Sequence, residues 1–444
     1  MRVTDMVQLQ AYPHYYPVDY DYVKQLPESW QLLPNIAIFQ ERIDRNHGNE
    51  ALLSVTIGKG VIKQTDVDIK KDSSNEDKSK YKLVKVGDIA YNKMRMWQGA
   101  LGYSNYQGIS SPAYIILKQK IKINPRYFHY LFRSPFYTNY SKRFSYGIVD
   151  DQLSLRYTDF KRMYSIVPQL DTQNRIVGYL EKKNDEIDRL IRNKEKLIEL
   201  LEEQKKVIIN KCVTLGLDKK VKLKQTELGK IPVHWEIRRL GTIGRFTKGG
   251  NITRSELTTL ADSIEDVSAI LYGDIYTKYD IVAENIVNKI SKKTATNSVQ
   301  LKKGDLLFTG SGETKEDIGK CILFNSDQKT YAGGDIIIFK QIIFDSHFIS
   351  YSQNSFIAKY QKFNSAKGEI IVHTYGSKLR DVTMPYPPST DEQKQIVEFI
   401  KKEHQIIDLA ISKAQQEITA IKEYREALIT DLVTGKRQAP SGQD

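Results

Sequence analysis

Two long segments of the chain carry apolar residues at helical spacing. Apolar positions recur every three or four residues over 171–214 and again over 391–434, in an a/d heptad pattern with a partly widened stripe. Neither segment contains proline. We therefore predict two amphipathic helices, each about 65 Å long from the rise per residue of an α-helix.

The two helical segments are copies of one another. Residues 168–214 align with residues 388–434 without a gap, at an offset of 220. The chain is therefore a tandem repeat of a globular segment followed by a long helical segment. Identical pairs within the long match include Asp171/Asp391, Gln173/Gln393, Asp188/Asp408 and Thr214/Thr434. Shorter matches precede each copy: Leu26–Trp30 with Ile231–Trp235, and Lys85–Ile89 with Lys302–Leu306.

The segments outside the helices contain short β-branched and aromatic runs, such as Ala113–Leu117 and Asp335–Phe339. Such runs predict strands, so we expect each segment to form an α/β unit with a mainly antiparallel or mixed sheet. The expected fold class is α+β: two α/β units, separated and followed by long helices that pair as an antiparallel coiled coil. The alternative is two unrelated amphipathic helices, each packed on its own unit. The predicted order is a first unit over 1–170, a helix over 171–214, a basic linker without structural pattern over 215–230, a second unit over 231–390, a helix over 391–434 and a tail over 435–444.

The apolar stripe of the helices is wider than a strict a/d seam requires. Ile191, Ile198, Ile411 and Ile418 lie beside the a/d positions, so they either pack within the helix pair or contact a partner protein. The sequence leaves these two roles open. The residues assigned to helix pairing or partner docking are Ile176, Leu180, Ile187, Ile191, Ile198, Leu201, Ile396, Ile400, Ile407, Ile411, Ile418 and Ile421.

The charge balance points to an anionic partner. The 444 residues include 67 Lys and Arg against 54 Asp and Glu, which gives a formal net charge of +13. The excess lies in the globular segments and the linker, whereas the helical segments are nearly balanced. Nucleic acid is therefore the first expectation for a partner, and an anionic membrane surface is the second.

The number of cysteines and the length of the apolar runs indicate the cellular compartment. Cys212 and Cys321 are too few for a disulfide scaffold or a Cys-only metal site. The longest apolar runs are too short for a membrane-spanning helix, and no apolar stretch follows the first residues as in a signal peptide. We therefore expect a cytoplasmic protein.

The sequence contains no recognisable catalytic motif. Gly319–Cys321 lacks the glycine spacing and the final hydroxyl of a P-loop, and Tyr386–Ser389 reverses the Pro-Pro-aromatic order of an amino-methyltransferase. Asp171, Glu181 and Lys183 imitate a nuclease motif, but they lie on one predicted helix and are more simply a solvated face. Neither His-Glu-x-x-His nor Cys-x-x-Cys is present. We predict no catalytic residue, no metal ligand and no cofactor on this chain.

The repeated plan, together with several motifs, resembles the specificity subunit of Type I restriction–modification enzymes. Pro387–Val397 closely matches the family's motif at the start of the helix, which ends in Glu-Gln-x-x-Ile-Val, and Leu228–Trp235 is similar to the opening of a recognition domain. The first copy departs from the pattern, because Thr172 stands where glutamate is usual. Asn92–Ala100 followed by Gly108–Tyr114 looks like one recurring class of recognition domain.

The resemblance covers nearly the whole chain and implies a non-catalytic reader of double-stranded DNA. In this family each recognition domain reads one half of a bipartite, gapped site, and the helices set the spacing. The implied partners are two modification subunits, to which restriction subunits can be added, and S-adenosylmethionine, ATP and Mg²⁺ are expected on those partners. An orphan or related-system subunit stays open. Rival classes are a coiled-coil protein-binding adaptor and a standalone nuclease.

Contacts to DNA require particular side chains. Arg and Lys pair with guanine or phosphate, Asn and Gln pair with adenine, and hydroxyls pair with either. The loop Lys248–Arg254 is the best candidate of the second unit, because its adjacent glycines let backbone approach DNA. For any single candidate, a core or solvated position stays open. The DNA-binding candidates are Lys59, Lys63, Lys93, Arg95, Trp97, Ser110, Ser111, Lys142, Arg143, Tyr146, Lys248, Asn251, Thr253, Arg254, Lys315, Lys367, His373 and Tyr375.

Overall fold

The computed structural model describes residues 9–20, 22–67, 77–149, 152–258, 266–368 and 372–440. The chain divides into two compact units. The first unit comprises Met1–Glu195 and Gln415–Asp444, and the second unit comprises Lys196–Ala414. Each unit therefore contains one globular segment and half of each long helix. No helix within the described ranges is long and apolar enough to cross a membrane.

The first unit is built on short strands and short helices. Its strands are β1 (Tyr15–Tyr20), β2 (Val23–Pro27), β3 (Gln31–Pro34), β4 (Phe39–Glu41), β5 (Leu52–Thr56), β6 (Gly60–Lys63), β7 (Lys82–Val84), β8 (Ile89–Asn92), β9 (Leu101–Tyr103), β10 (Gly108–Ser110), β11 (Tyr114–Gln119) and β12 (Tyr164–Val167). Its short helices are α1 (Asn35–Ile38), α2 (Pro125–Arg133), α3 (Pro135–Phe144) and α4 (Tyr157–Phe160). Two four-stranded sheets have the orders β6-β5-β10-β7 and β4-β11-β8-β9, and within them only β10 and β5 pair in parallel.

The second unit follows the same plan with two five-stranded sheets. Its strands are β13 (Leu223–Thr226), β14 (Gly229–Pro232), β15 (Glu236–Arg239), β16 (Gly244–Lys248), β17 (Leu257–Thr258), β18 (Val267–Ile270), β19 (Val282–Ala283), β20 (Asn288–Ile290), β21 (Val299–Gln300), β22 (Leu306–Thr309), β23 (Ser311–Gly312), β24 (Cys321–Phe324), β25 (Thr330–Ala332), β26 (Ile336–Gln341), β27 (Val372–His373) and β28 (Thr383–Tyr386). The sheets have the orders β16-β26-β22-β24-β19 and β17-β20-β18-β25-β21, and both are mixed. The predicted mixed α/β units are therefore confirmed.

The remaining helices are the long helix that follows the first globular segment and seven α-helices among the described residues of the second half of the chain. That helix and the others are α5 (Leu170–Leu215), α6 (Leu240–Ile243), α7 (Tyr272–Thr277), α8 (Lys292–Thr296), α9 (Ser346–Gln353), α10 (Phe356–Ser365), α11 (Gly376–Leu379) and α12 (Thr390–Val433). The linker is more ordered than its composition indicates, because β13 and β14 pair as an antiparallel hairpin. Ile231 on β14 is buried in the core of the second unit, which explains why this basic segment is ordered.

The long helices α5 and α12 run antiparallel within each unit. In the first unit Asp188 on α5 pairs with Arg425 on α12. In the second unit the Lys205 Nζ on α5 is 2.9 Å from the Asp408 Oδ1 on α12. The offset of 220 relates Asp188 to Asp408 and Lys205 to Arg425, so both contacts are one ion pair repeated. This direction of pairing confirms the antiparallel arrangement predicted from the repeat.

The ends of the long helices belong to the cores of the globular segments. The first turns of α5 and the last turns of α12 pack in the core of the first unit, and the last turns of α5 and the first turns of α12 pack in the core of the second. Of the residues assigned to pairing or docking, Ile198, Leu201 and Ile411 are partly exposed. A docking role for any of them stays a prediction. The buried members are Ile176, Leu180, Ile187, Ile191, Ile396, Ile400, Ile407, Ile418 and Ile421.

A repeated glutamine fastens the start of each long helix to its unit. The Gln173 Nε2 donates to the Pro168 carbonyl at 2.8 Å, and its Oε1 accepts from the Asn124 backbone N–H at 2.8 Å. Asn124 is the N-cap residue of α2, so one side chain joins α5 to the neighbouring helix. Gln393 makes the same two kinds of bond at the start of α12. The repeated identity in the sequence thus marks a repeated structural tie.

A repeated glycine and tryptophan form the other end of each helix. Gly216 follows α5 with φ +70°, and Gly435 follows α12 with φ +75°, both in the left-handed region that favours glycine. A Cβ on Gly216 would lie 3.2 Å from the buried Trp235 ring, and a Cβ on Gly435 would lie 3.2 Å from the buried Trp30 ring. The helix end and the tryptophan of the short sequence repeat therefore pack together in each unit.

The two tryptophans differ in one hydrogen bond. The Trp235 indole N–H donates to the Glu392 Oε1 at 2.9 Å, whereas the buried Trp30 N–H, which is close to the Tyr12 hydroxyl, has no acceptor in good hydrogen-bond geometry among the described residues. Thr172 occupies the position equivalent to Glu392. The departure from the family pattern therefore leaves an unpaired indole N–H in the first unit.

We expect Thr172→Glu to raise the free energy of unfolding of the first unit by about 1 kcal/mol. The new carboxylate accepts from the Trp30 indole, and Arg175, whose guanidinium donates to the Thr172 hydroxyl at 3.2 Å, supplies a neighbouring cation. Urea unfolding followed by tryptophan fluorescence measures the change. Thr172→Val is the matched control, because it adds no acceptor. A gain in both variants would contradict the hydrogen-bond explanation.

Candidate nucleic-acid interface

A cleft of 810 Å³ in the second unit combines positive charge with aromatic rings. It lies between β16, the turns that lead into β23 and β26, and the segment from β27 through α11. These pieces come together because β26 pairs with both β16 and β22, and β23 pairs with β27. The residues that line this second-unit cleft are Gly241, Thr242, Gly244, Arg245, Phe246, Thr247, Lys248, Gly310, Ser311, Gly334, Asp335, Ile337, Ile342, His373, Thr374, Tyr375, Gly376, Ser377 and Arg380.

The chemistry of the cleft suits a nucleic acid. Arg245, Lys248 and Arg380 are exposed cations at its wall, whereas Asp335 is its one carboxylate among the described lining residues. Tyr375 is 57% exposed, and its ring lies 6.5 Å from the His373 ring between centroids, with an angle of 18° between the planes. Cations bind phosphates, and exposed aromatic faces stack on bases.

The cleft brings together three of the second-unit candidates. Lys248, His373 and Tyr375 all line it. Lys367 lies beside them, since its backbone is bridged to His373 by hydrogen bonds of 3.1 and 2.8 Å. Lys315 lies in the turn after β23, outside the lining. The remaining candidates, also outside the lining, are Asn251, Thr253 and Arg254, which lie in the loop after β16.

The glycines of the Lys248–Arg254 loop do not have the role that was predicted for them, which was to let backbone approach DNA. A Cβ on Gly249 would lie 2.0 Å from the Gly333 carbonyl oxygen, and a Cβ on Gly250 would lie 2.6 Å from the Ser298 Cα. These glycines allow the loop to pack against the unit's own backbone, rather than to approach DNA. Thr253 is likewise occupied, because it begins a 3₁₀ turn and forms a capping box with Glu256.

Several lining residues that carry charge or hydroxyl groups were not predicted from the sequence. Arg245 is on β16, only three positions before Lys248, and Arg380 follows α11. Ser311 lies between two glycines in sequence, yet it forms β23 and is buried. The available signal was the presence of two cations, Arg245 and Lys248, within one short strand. No sequence pattern links Arg380 to the rest.

Several first-unit candidates lie on one exposed face. The Lys142 Nζ lies over the Trp97 ring, 4.8 Å from its centroid. Tyr146 is 76% exposed and is bridged to Ser154, and the adjacent Leu155 N–H donates to the Lys93 carbonyl at 2.8 Å. We call this set the first-unit basic face; its members are Lys93, Arg95, Trp97, Lys142, Arg143 and Tyr146.

The other first-unit candidates lie on a different sheet, around β5 and β6. Lys59 lies in their exposed turn, and the Lys63 Nζ lies 5.3 Å from the centroid of the Tyr106 ring. Ser111 is partly buried, and its Oγ accepts from the Ala113 N–H at 3.3 Å. Ser110 is wholly buried, so its prediction as a DNA contact was wrong. Its strand lies in the interior of the sheet between β5 and β7.

Arg133 connects the turn between β5 and β6 to the segment that follows Trp97. Burial lowers the pKa of this guanidinium, and both of its terminal nitrogens donate to backbone carbonyls. Burial, with Arg133 and Arg126 nearby, lowers the pKa of His129 to about 3, so this imidazole is neutral and accepts from the Tyr103 N–H at 3.2 Å. Both residues therefore position the loops rather than contact DNA. The carbonyls bound by Arg133 are those of Ile57, Gly58, Gly99 and Leu101.

No metal centre is assembled in the part of the chain that the structure describes, because no three His, Cys, Asp or Glu residues converge there. Cys212 and Cys321 are both buried, and burial raises the pKa of the Cys212 thiol to about 11 and that of the Cys321 thiol to about 12. Neither thiol is therefore an activated nucleophile.

One family model and two related proteins relate this chain to Type I specificity subunits. Residues 232–420 match the family model described as the Type I restriction modification DNA specificity domain. The chain is 23% identical over 431 residues to a Methanocaldococcus jannaschii protein named as the MjaX specificity subunit of a type I restriction enzyme, covering 93% of this chain and 95% of that one. It is 24% identical over 378 residues to the type I restriction enzyme MjaVIII specificity subunit of the same organism, covering 81% and 82%.

Two solved structures share the fold. One is a chain from a study of complex assembly and conformational transition of the type I R-M system, with a TM-score of 0.69, 14% identity, and coverage of 93% of this chain and 99% of that one. The other is the HsdS subunit from Thermoanaerobacter tengcongensis, with a TM-score of 0.53, 14% identity, and coverage of 93% and 98%. At this identity the likeness concerns the fold.

Proposed function

Because residues 232–420 match the Type I restriction modification DNA specificity domain and the chain is similar along most of its length to specificity subunits, we propose that it is a DNA specificity subunit and that each of its two units reads one half of a bipartite, gapped DNA site. The observation that carries this proposal is the occurrence of a basic, aromatic surface in each unit of a duplicated chain. In the second unit it is the second-unit cleft, and in the first unit it is the first-unit basic face. The family is a non-catalytic recognition family.

The two kinds of side chain have different tasks. Arg245, Lys248 and Arg380 bind phosphates and so fix the second unit on the duplex without selecting a sequence. His373 and Tyr375 contact bases, and so select the sequence. In the first unit, Lys142 and its neighbouring cations bind phosphates around the exposed Tyr146 and the partly exposed Trp97. The paired helices act as the spacer between the two readers and so set the number of unread base pairs.

The helices also dock the modification subunits. Several large apolar side chains of α5 and α12 are exposed, which is costly unless a partner covers them. They supply an apolar surface for two modification subunits, and restriction subunits join the assembly in systems that cut. Methylation, translocation and cleavage, with S-adenosylmethionine, ATP and Mg²⁺, belong to those partners, in the cytoplasm. The exposed apolar residues are Leu197, Leu200, Val207, Phe399, Ile406 and Leu409.

Genome-wide mapping of methylated motifs tests the proposal. Cells that carry this chain with a cognate modification subunit are compared with cells that lack the chain. We expect a new bipartite motif with a fixed gap. Exchange of residues 1–170 for the corresponding segment of a relative with another specificity should change one half of the motif and preserve the other half and the gap. Absence of a new motif, despite a soluble complex with the modification subunit, would contradict the proposal and favour a protein-binding adaptor.

A further inference from the structure

Three side chains form a hydrogen-bonded row at the wall of the second-unit cleft. Ser311 and His373 are register partners on the paired strands β23 and β27. The Ser311 Oγ lies 3.0 Å from the His373 Nδ1 and 3.3 Å from the Asp335 Oδ2. Ser311 is buried, whereas His373 is only partly buried and lines the cleft. The hydroxyl therefore connects a carboxylate to an imidazole that ligands can reach.

The carboxylate determines which atom of the imidazole carries the proton. An ionised carboxylate can only accept, so the Ser311 hydroxyl donates to Asp335. That hydroxyl then offers only lone pairs to His373, so the Nδ1 must be protonated and must donate. The Nε2 of the neutral ring is consequently an acceptor. In the described part of the chain, the bond to Ser311 is the only side-chain hydrogen bond of His373.

The order of the three groups excludes the obvious alternative chemistry. In a hydrolytic triad the histidine lies between the carboxylate and the serine, and takes the hydroxyl proton. Here the serine lies between the carboxylate and the histidine, and its hydroxyl proton is directed to Asp335. The row therefore activates no nucleophile. Its chemical consequence is that His373 offers one hydrogen-bond acceptor, the Nε2.

The surroundings of His373 fit a base rather than a small ion. Tyr375 provides an exposed aromatic face beside the imidazole. Thr374, between them in sequence, is 1% exposed, and its Oγ1 has no hydrogen-bond partner among the described residues, although the residue lines the cleft. Arg245 and Lys248 line the same cleft and suit the phosphates of a nucleotide.

We propose that His373 is a specificity-determining residue, whose Nε2 accepts a hydrogen bond from the exocyclic amine of a base, adenine N6 or cytosine N4. Ser311 and Asp335 are positioning residues that hold the required tautomer. A guanine O6 or thymine O4 at that place would set an acceptor against an acceptor and is rejected. This inference rests on the proposed function, because it assumes that the second-unit cleft reads a half-site.

The test measures base preference position by position. The chain is assembled with its modification subunit, and a plasmid library randomised over the second half-site is methylated and sequenced. We expect the wild-type complex to require A or C at one position of one strand. His373→Ala should lower that preference about 10- to 100-fold at this position only, with the other positions and the gap unchanged.

Two further variants test the tautomer. Ser311→Ala removes the bond that orients the ring, so it should weaken the preference at the same position. Asp335→Asn replaces an obligatory acceptor by an amide that can also donate to Ser311, so the Nδ1 can become the acceptor and the Nε2 the donor. This variant should therefore admit G or T at the same position. His14→Ala, an exposed histidine of the first unit, is the matched control and should change nothing.

The possible outcomes separate the inference from the proposed function. Failure of the wild-type complex to methylate any gapped motif overturns the proposed function, and the inference with it. A normal wild-type motif with an unchanged preference in His373→Ala overturns the inference alone. If every cleft variant loses base preference equally at all positions of the half-site, the three side chains serve only to join β23 to β27, and the inference is overturned. Binding of each variant to the modification subunit, together with its circular dichroism spectrum, separates that loss from misfolding.

Discussion

Simultaneous replacement of Arg245, Lys248 and Arg380 by alanine is expected to weaken specific DNA binding about 100- to 1,000-fold at physiological salt. All three cations are exposed at the wall of the second-unit cleft. Each one that neutralises a phosphate releases a counterion, so the slope of log K against log salt should fall by about 2 to 3. Fluorescence anisotropy of the assembled complex on a duplex carrying its site, over a series of salt concentrations, measures both quantities.

The control for this experiment removes the same charge elsewhere on the second unit. Lys289, Lys293 and Lys303 are exposed and do not line the cleft. Their joint replacement by alanine lowers the net charge equally and should change the salt slope by less than about 1. Equal losses in the two triple variants would show that overall charge attracts DNA and that the cleft is not its binding surface.

Gln393→Leu is expected to lower the free energy of unfolding of the second unit by about 2 to 4 kcal/mol. This side chain is 1% exposed; its Nε2 donates to the Pro387 carbonyl at 2.9 Å and its Oε1 accepts from the Asp345 N–H at 3.0 Å. Leucine fills a similar volume but leaves both backbone groups buried and unpaired. Urea unfolding gives the free energy, and hydrogen exchange of the Asp345 amide should accelerate.

Gln395→Leu provides the comparison for Gln393→Leu. Gln395 is two residues away on the same helix and is exposed, so its replacement should change the free energy of unfolding by less than about 0.5 kcal/mol. The equivalent Gln173→Leu should destabilise the first unit as Gln393→Leu destabilises the second. A similar small effect in all three variants would show that the repeated glutamine does not hold the helices.

The repeat made the plan of the chain predictable. Gln173 and Gln393 are identical in sequence, and they make equivalent bonds. The ion pairs between the two long helices could not be predicted from identical residues. Their cations, Lys205 and Arg425, occupy equivalent positions in the two copies but are different residue types. A match between copies shows that a position has the same environment twice. It does not show which other position supplies its partner.

The residues of the candidate interface were predicted less completely than the order of the units and helices. Lys248, His373 and Tyr375 were named from residue type and local spacing, and the cleft contains all three. Arg380 and Ser311 were missed, because each lies in a short segment without a pattern of its own. Ser110 was named from the same kind of evidence as the residues that line the cleft, yet its strand is buried within a sheet. Residue type indicates what a side chain can bind, but not whether it reaches the surface.

The two α/β units, the two long helices, their antiparallel pairing and the resemblance to specificity subunits could all be predicted from the amino-acid sequence. Each of these depends on periodicity or on repetition, which are written along the chain. The folded structure was needed to show which cations share a cleft, that Gly249 and Gly250 pack on their own unit, and that Ser311 connects Asp335 to His373. Those facts depend on pairing between strands tens of residues apart. Local spacing gives the alternation of faces within one strand, but it does not show which distant strand is the partner.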